Sequence, residues 1–160
     1  MSVPTEFECR FVDFQSLENT ELYALLKLRI DVFIIEQKSI YEELDNRDQK
    51  AIHLIARLHD NKTIAGSLRI ISPDNPAGSI LIGRVVVGKK YRGRGLADEM
   101  MKKAMVYIST KYSGHNIELG AQSYLVDFYK KFSFKPNSKE YDDAGVPHID
   151  MIYLNNDRYT

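Results

Sequence analysis

The chain has 160 residues, 44% of them apolar and 28% charged, and its 22 basic and 22 acidic side chains cancel. A globular domain of that size buries about 68–70% of its unfolded surface and needs no disulfide staple. The charge balance excludes a general attraction to nucleic acid or to anionic membrane, and the single cysteine, Cys9, excludes a disulfide framework and argues against a cysteine-based metal site.

Glu6, Glu8 and Arg10 stand where a signal peptide would carry an apolar run, and no stretch approaches the roughly 20 apolar residues of a membrane helix. The expectation is a cytoplasmic protein forming one domain over 1–160. Glu8 to Phe14 alternates as a first strand. Asn19 or Thr20 offers a helix cap, followed by Leu22, Leu25, Leu26, Arg29, Val32 and Phe33 at helical spacing. The polar, acid-rich stretch from Glu36 to Lys50 is expected to hold a second short helix.

Ala51 to His59 and Ile64 to Ile71 read as strands joined by the turn Asp60-Asn61-Lys62. Ile80 to Val87 is a nearly continuous apolar run, as in a strand covered on both faces. A long helix follows, with Leu96, Met100, Met101, Ala104, Met105 and Ile108 on its inner face. Then come a strand at Ile117 to Ala121 and a helix at Leu125 to Phe132. A terminal hairpin pairs Lys135–Tyr141 with His148–Leu154. The fold class is α+β, or mixed α/β, in a single domain.

Between the central strand and the long helix lies Arg92-Gly93-Arg94-Gly95-Leu96-Ala97. A helix start offers unpaired N–H groups and the positive end of the macrodipole to an anion. Glycines let the backbone approach phosphate oxygens, and the arginines add fork-shaped donors. Leu96-Ala97 excludes a P-loop, which needs Gly-Lys-Ser/Thr there. Asp98 stands where a dinucleotide fingerprint needs a small residue, although Glu118 lies at about the right distance downstream. Taken alone, the turn also fits a helix start with no ligand.

The segment Val85 to Ala97 resembles the acyl-CoA signature of the GNAT superfamily of N-acetyltransferases, with Arg92, Gly95 and Ala97 on its fixed positions. Leu28 to Phe33, Glu36-Gln37, Gly120-Ala121-Gln122 and Gly145 to Ile149 resemble its ElaA-like branch. The resemblance implies a mostly antiparallel twisted sheet of about six to seven strands, splayed between the fourth and fifth, with helices on both faces.

It further implies acetyl-CoA as co-substrate, no metal, and a small-molecule or peptide amine as acceptor, and it allows a homodimer. Val85, Val86 and Val87 would lie along the pantetheine, with the Val85 N–H at the thioester carbonyl. Arg92, Gly93, Arg94, Gly95, Leu96 and Ala97 would hold the pyrophosphate. Gln122, Phe128 and Tyr129 would complete the coenzyme site. Tyr129 matches the family's general acid, and a phenol of pKa about 10 can protonate a thiolate. Glu118, His148 and Glu36 are candidate bases, and a water chain can serve instead. Ser133-Phe134 departs from the family's usual Gly-Phe.

Arg29, Arg69 and Arg84 fall among apolar residues, where an unpaired charge is costly. Pairing Ile71 with Ile80 would put Arg69 and Arg84 on one face. They are expected either to pair internally with Glu36, Asp45, Asp48 or Glu118, or to form an acceptor pocket for a carboxylate. Phe33, Glu36, Gln37 and His148 would be further acceptor contacts. Arg29, Phe33, Glu36, Asp45, Asp48 and Arg69 also resemble acyl-homoserine-lactone synthases, which normally carry a tryptophan this chain lacks. A non-catalytic CoA-binding module is the third class of reading.

Overall fold

The computed structural model describes residues 6–59 and 63–155, so the turn expected at 60–62 lies outside the described residues. Eight strands form one sheet: β1 (Phe7–Asp13), β2 (Ile52–Leu58), β3 (Ile64–Ile71), β4 (Ile80–Val87), β5 (Ile117–Gln122), β6 (Lys135–Pro136), β7 (Tyr141–Asp143) and β8 (Val146–Tyr153). Their order is β1-β2-β3-β4-β5-β8-β6, with β7 paired to β8. Only β4 and β5 run parallel.

The strand count exceeds the expected six to seven because Lys135–Tyr141 is not one strand. Pro136 has no N–H to continue the ladder, and the Ser138 hydroxyl takes the Asp150 N–H at 2.9 Å. The chain rejoins the sheet at Tyr141, opposite His148.

Helices cover both faces. On one, Leu25 of α1 (Asn19–Arg29) packs with Val12, Ile55 and Ile64. On the other, α2 (Leu96–Lys111) buries Leu96, Met100, Met101, Ala104 and Ile108 against Leu54, Leu68, Ile70 and Ile82. Leu54 and Ile55 are neighbours in sequence and serve opposite cores, as strand alternation requires. Each such fully buried side chain contributes about 1.5–3 kcal/mol. A short α3 (Val126–Lys130) follows β5. Among the described residues no helix is long and apolar enough to cross a membrane.

The residue before α1 is Glu18, which makes no side-chain cap bond, so neither Asn19 nor Thr20 is the cap. The helix runs on into a π-helical stretch, Ile30–Glu36, in which the Gln37 N–H reaches Val32 O at 3.1 Å, five residues back. The short helix expected within 36–50 is absent. That segment holds one 3-10 turn, Asp48–Lys50, and takes left-handed φ at Lys38 and Asn46. On a helix, Glu43 and Asp45 would point about 200° apart. Here both turn inward to arginines.

Two irregularities in β4 shape the middle of the sheet. In the β3–β4 hairpin Ile71 faces Leu81, one residue from the expected register, and Arg69 faces Gly83. The pairing then slips, so that Ser67 faces Val86, leaving Arg84 and Val85 opposite Leu68 in a bulge with φ 51° at Arg84. Regular alternation would send Arg84 toward α2, and the bulge turns it to the face of Arg69. On its other edge β4 meets β5 only at Ile80–Ile117 and Leu81–Glu118. Beyond those pairs the two strands part.

Candidate active site

The splay opens a cleft of about 850 Å³ between β4 and β5. Val85, Val86 and Val87 line its β4 wall, where the edge toward β5 has no strand partner. At the end of β4 the glycine turn enters α2. Gly93 and Gly95 take φ of 77° and 76°, a left-handed conformation that disfavours other residues by about 1–2 kcal/mol. Gly95 is the residue that caps α2, and the first helical bond runs from the Glu99 N–H to Gly95 O at 3.0 Å. The N–H groups of the first turn ahead of it have no carbonyl partner within the helix.

Gly93, Gly95, Leu96 and Ala97 line the cleft. Asp98 lies there too and would oppose an anion. Lys102 at 2.9 Å and Lys131 at 3.0 Å hold its carboxyl below the usual range and offset its charge. Arg92 grips Glu36 with both terminal nitrogens, at 2.7 and 3.1 Å, while its Nε donates to Val87 O. Arg94 does not line the cleft: it pairs with Glu6 at 3.1 Å and lies over the Tyr91 ring.

Phe128 and Tyr129 of α3 also line the cleft. Tyr129 is 5% exposed, and burial pushes its hydroxyl pKa up. Its ring meets Phe128 and Phe134 edge-on, at 5.0 and 6.3 Å. Ser133 adopts φ 69°, supplying the left-handed turn for which the family's glycine is suited, and Phe134 is buried behind it. Gln122 donates to the Gln37 side chain at 3.1 Å, tying β5 to the end of the π-helical stretch.

Of the residues expected to contact an acceptor or to serve as base, Phe33, Glu36, Gln37, Arg69, Arg84, Glu118 and His148 line the cleft. Arg29 is the exception among the expected contacts. It is 1% exposed, and it is enclosed by Glu43 (Nε–Oε2, 2.8 Å) and Asp48 (Nη1–Oδ1, 2.7 Å). It does not line the cleft. Arg69 pairs with Asp45 at 2.5 Å and Asp48 at 3.1 Å, and Arg84 with Glu43 at 2.8 Å. Three arginines thus meet three carboxylates. Burial alone would raise the Asp45 pKa, but the Arg69 hydrogen bond and charge bring it to about 2. Glu36 and Glu118, also expected as partners of this cluster, take no part: Glu36 holds Arg92, and Glu118 forms no ion pair among the described residues.

Strand register explains what faces the cleft from β5 and β8. Gly120 lies opposite Asp150, Gln122 opposite His148, and His148 opposite Tyr141, so their side chains share one face with Glu118. The Tyr141 hydroxyl donates to Asp150 at 2.5 Å; burial and that carboxylate push its pKa up to about 12. His148 Nδ1 lies 2.8 Å from Val146 O. A carbonyl only accepts, so Nδ1 carries a proton, and it is Nε2 that bears the lone pair in the neutral form of the ring.

Sequence reasoning missed Glu43, Tyr41, Tyr141 and Asp150. Three buried arginines called for a third carboxylate beyond Asp45 and Asp48, and the 36–50 segment offered Glu42 and Glu43. Tyr141 and Asp150 follow from the hairpin once its register is known.

A model of the acetyltransferase (GNAT) domain matches residues 22–154. Protein ElaA of Escherichia coli strain K12 is 32% identical over 145 residues, spanning 88% of this chain and 95% of that protein. The crystal structure of Escherichia coli ElaA superposes with a TM-score of 0.85 at 31% identity, over 91% of this chain and 98% of that one. An acyl-CoA N-acyltransferase from Pseudomonas aeruginosa gives a TM-score of 0.86 at 31% identity, over 92% and 99%. A CoA-dependent acyl-homoserine lactone synthase, BjaI, shares the fold alone, with a TM-score of 0.76 at 12% identity over 95% and 85%. The chain belongs to the GNAT family of acetyltransferases, on its ElaA-like branch.

Proposed function

We propose that the protein transfers an acetyl group from acetyl-CoA to the primary amine of a small molecule or peptide by direct attack. The observation that carries this reading is the unpaired β4 edge, Val85 to Val87, leading into a glycine turn whose helix start favours phosphate. An extended pantetheine arm can add to such an edge as a strand does, through backbone hydrogen bonds.

In the reaction the amine lone pair attacks the thioester carbonyl carbon and the carbon–sulfur bond breaks. We assign the Val85 N–H, at the bulge where the β3–β4 pairing slips, as donor to the carbonyl oxygen as charge develops on it. A donor of that kind is worth about 2.7–4 kcal/mol. Tyr129 gives its proton to the departing thiolate. Burial disfavours phenolate and thiolate alike, so the raised pKa of Tyr129 keeps the acid protonated until sulfur needs it. His148, through Nε2, and Glu118 are the groups facing the cleft that can accept the amine proton.

Calorimetry with acetyl-CoA tests the coenzyme half, and absence of binding at saturating ligand refutes the reading. Tyr129→Phe should lower kcat about 10²-fold or more with little change in acetyl-CoA affinity. Unchanged turnover would remove its role as acid.

A further inference from the structure

The buried arginines make the cleft look built for an anionic acceptor, but their charge is fully matched. Arg29, Arg69 and Arg84 face Glu43, Asp45 and Asp48, and Arg84 also spends donors on the Glu42 and Glu43 carbonyls. Arg69 Nε has no partner, yet it is closed off from solvent. Two further lining cations, Arg92 and Lys131, are paired with Glu36 and with Asp98, which Lys102 shares.

Cancelling these pairs leaves one lining cation, Arg47, against three lining carboxylates, Glu118, Asp143 and Asp150, none of which forms an ion pair among the described residues. The hydrogen-bonding groups lean the same way. Tyr141 turns its proton to Asp150 and His148 turns its Nδ1 proton to Val146, so neither of those donors points at the cleft, which meets the Asp150 carboxylate. Gly120 keeps this wall open: a Cβ there would stand 3.3 Å from the Tyr141 hydroxyl and 3.7 Å from Asp150 Oδ1.

From this balance, and resting on the amine-acetyltransferase reading above, we infer that the preferred acceptor is an amine carrying a second positive charge. The reacting nitrogen loses its proton near Glu118 and His148, and the other stays charged against Asp150 and Asp143. Asp150 lies diagonally from Glu118 across β5 and β8. Such diagonal positions are about 7–8 Å apart, and a four-carbon diamine, about 6 Å between nitrogens when extended, spans most of that distance.

The test compares three acceptors of one length: 1,4-diaminobutane, butylamine and 4-aminobutanoate. Thiol release from acetyl-CoA is followed, with calorimetry of acetyl-CoA alongside. The expected kcat/KM order is diamine, then monoamine, then amino carboxylate, with at least about tenfold between the first and the last. Rising salt should narrow that gap. Asp143→Asn and Asp150→Asn should each shrink the diamine-to-butylamine ratio, mainly through acceptor KM. Equal or better use of 4-aminobutanoate overturns the inference while leaving the acetyltransferase reading intact. No thiol release with any of the three, although acetyl-CoA binds, overturns the inference; no binding of acetyl-CoA overturns both.

Discussion

Replacing Glu43 with Gln should destabilise the protein by about 3 kcal/mol, at the low end of what breaking a buried ion pair costs. The carboxylate is 4% exposed and accepts from Arg29 Nε at 2.8 Å, Arg29 Nη2 at 2.5 Å, Arg84 Nε at 2.8 Å and the Tyr41 hydroxyl at 2.5 Å. Glutamine removes the charge and turns an NH2 group toward some of those donors. Arg29 keeps Asp48, and the Arg84 side chain, 21% exposed, can recruit water. Both limit the loss. For a chain of this size the change corresponds to a fall in Tm of about 6–12 °C. Urea unfolding with a fitted slope measures it directly. Adding Arg84→Gln should be markedly less than additive, because that arginine has already lost its carboxylate. A loss below about 1 kcal/mol, the worth of a surface pair, would refute the view that the cluster is an enclosed charge network.

Three further outcomes are expected. Glu36→Gln should tighten acetyl-CoA binding about two- to fivefold, since Arg92 must leave Glu36 to reach a phosphate and exposed pairs are worth up to about 1 kcal/mol; weaker binding by calorimetry would mean that Glu36 holds Arg92 in its working pose. Gly95→Ala should cost about 1–2 kcal/mol in thermal unfolding, from its φ of 76° alone, because nothing lies within 4 Å of the added carbon. Asp45 titrates at about 2 in the folded chain against about 3.9 unfolded. The unfolded state therefore binds more protons between those values, and stability falls as pH drops from about 4 toward 2. Asp45→Asn should flatten that part of the urea-midpoint profile, and an unchanged slope would assign it to other carboxylates.

Strands β3 and β4 were legible to the residue, because each is an apolar run bounded by polar or turn residues. The glycine turn was legible for a related reason: glycines at 93 and 95 mark backbone conformations that few other residues tolerate. The 36–50 segment was not. Its charges read as a solvated face, and hydrophobic periodicity is silent about an acidic side chain that folds inward onto a distant arginine. Arg69 and Arg84 share a face as expected, but by a different route. The predicted register was off by one residue, and the bulge at Arg84 restores the side that the slip would have reversed. Gly83, immediately before Arg84, is the residue that could have marked that bulge, since an isolated glycine within a strand pattern suggests one.

The same bulge explains why the fold keeps so many buried charges. A left-handed φ of 51° at Arg84 is unfavourable for an arginine by about 1–2 kcal/mol, and something must hold it. Arg84 bonds the Glu43 carboxylate, the Glu42 and Glu43 carbonyls and Asp45. Glu43 is in turn fixed by Arg29, and Asp45 by Arg69. Those contacts anchor the strained residue from the side chain outward. The residue they anchor immediately precedes Val85, at the point where the β3–β4 pairing slips. The arginine cluster is therefore better understood as the support of the β4 wall than as a pocket, and its cost is spent on keeping that wall open.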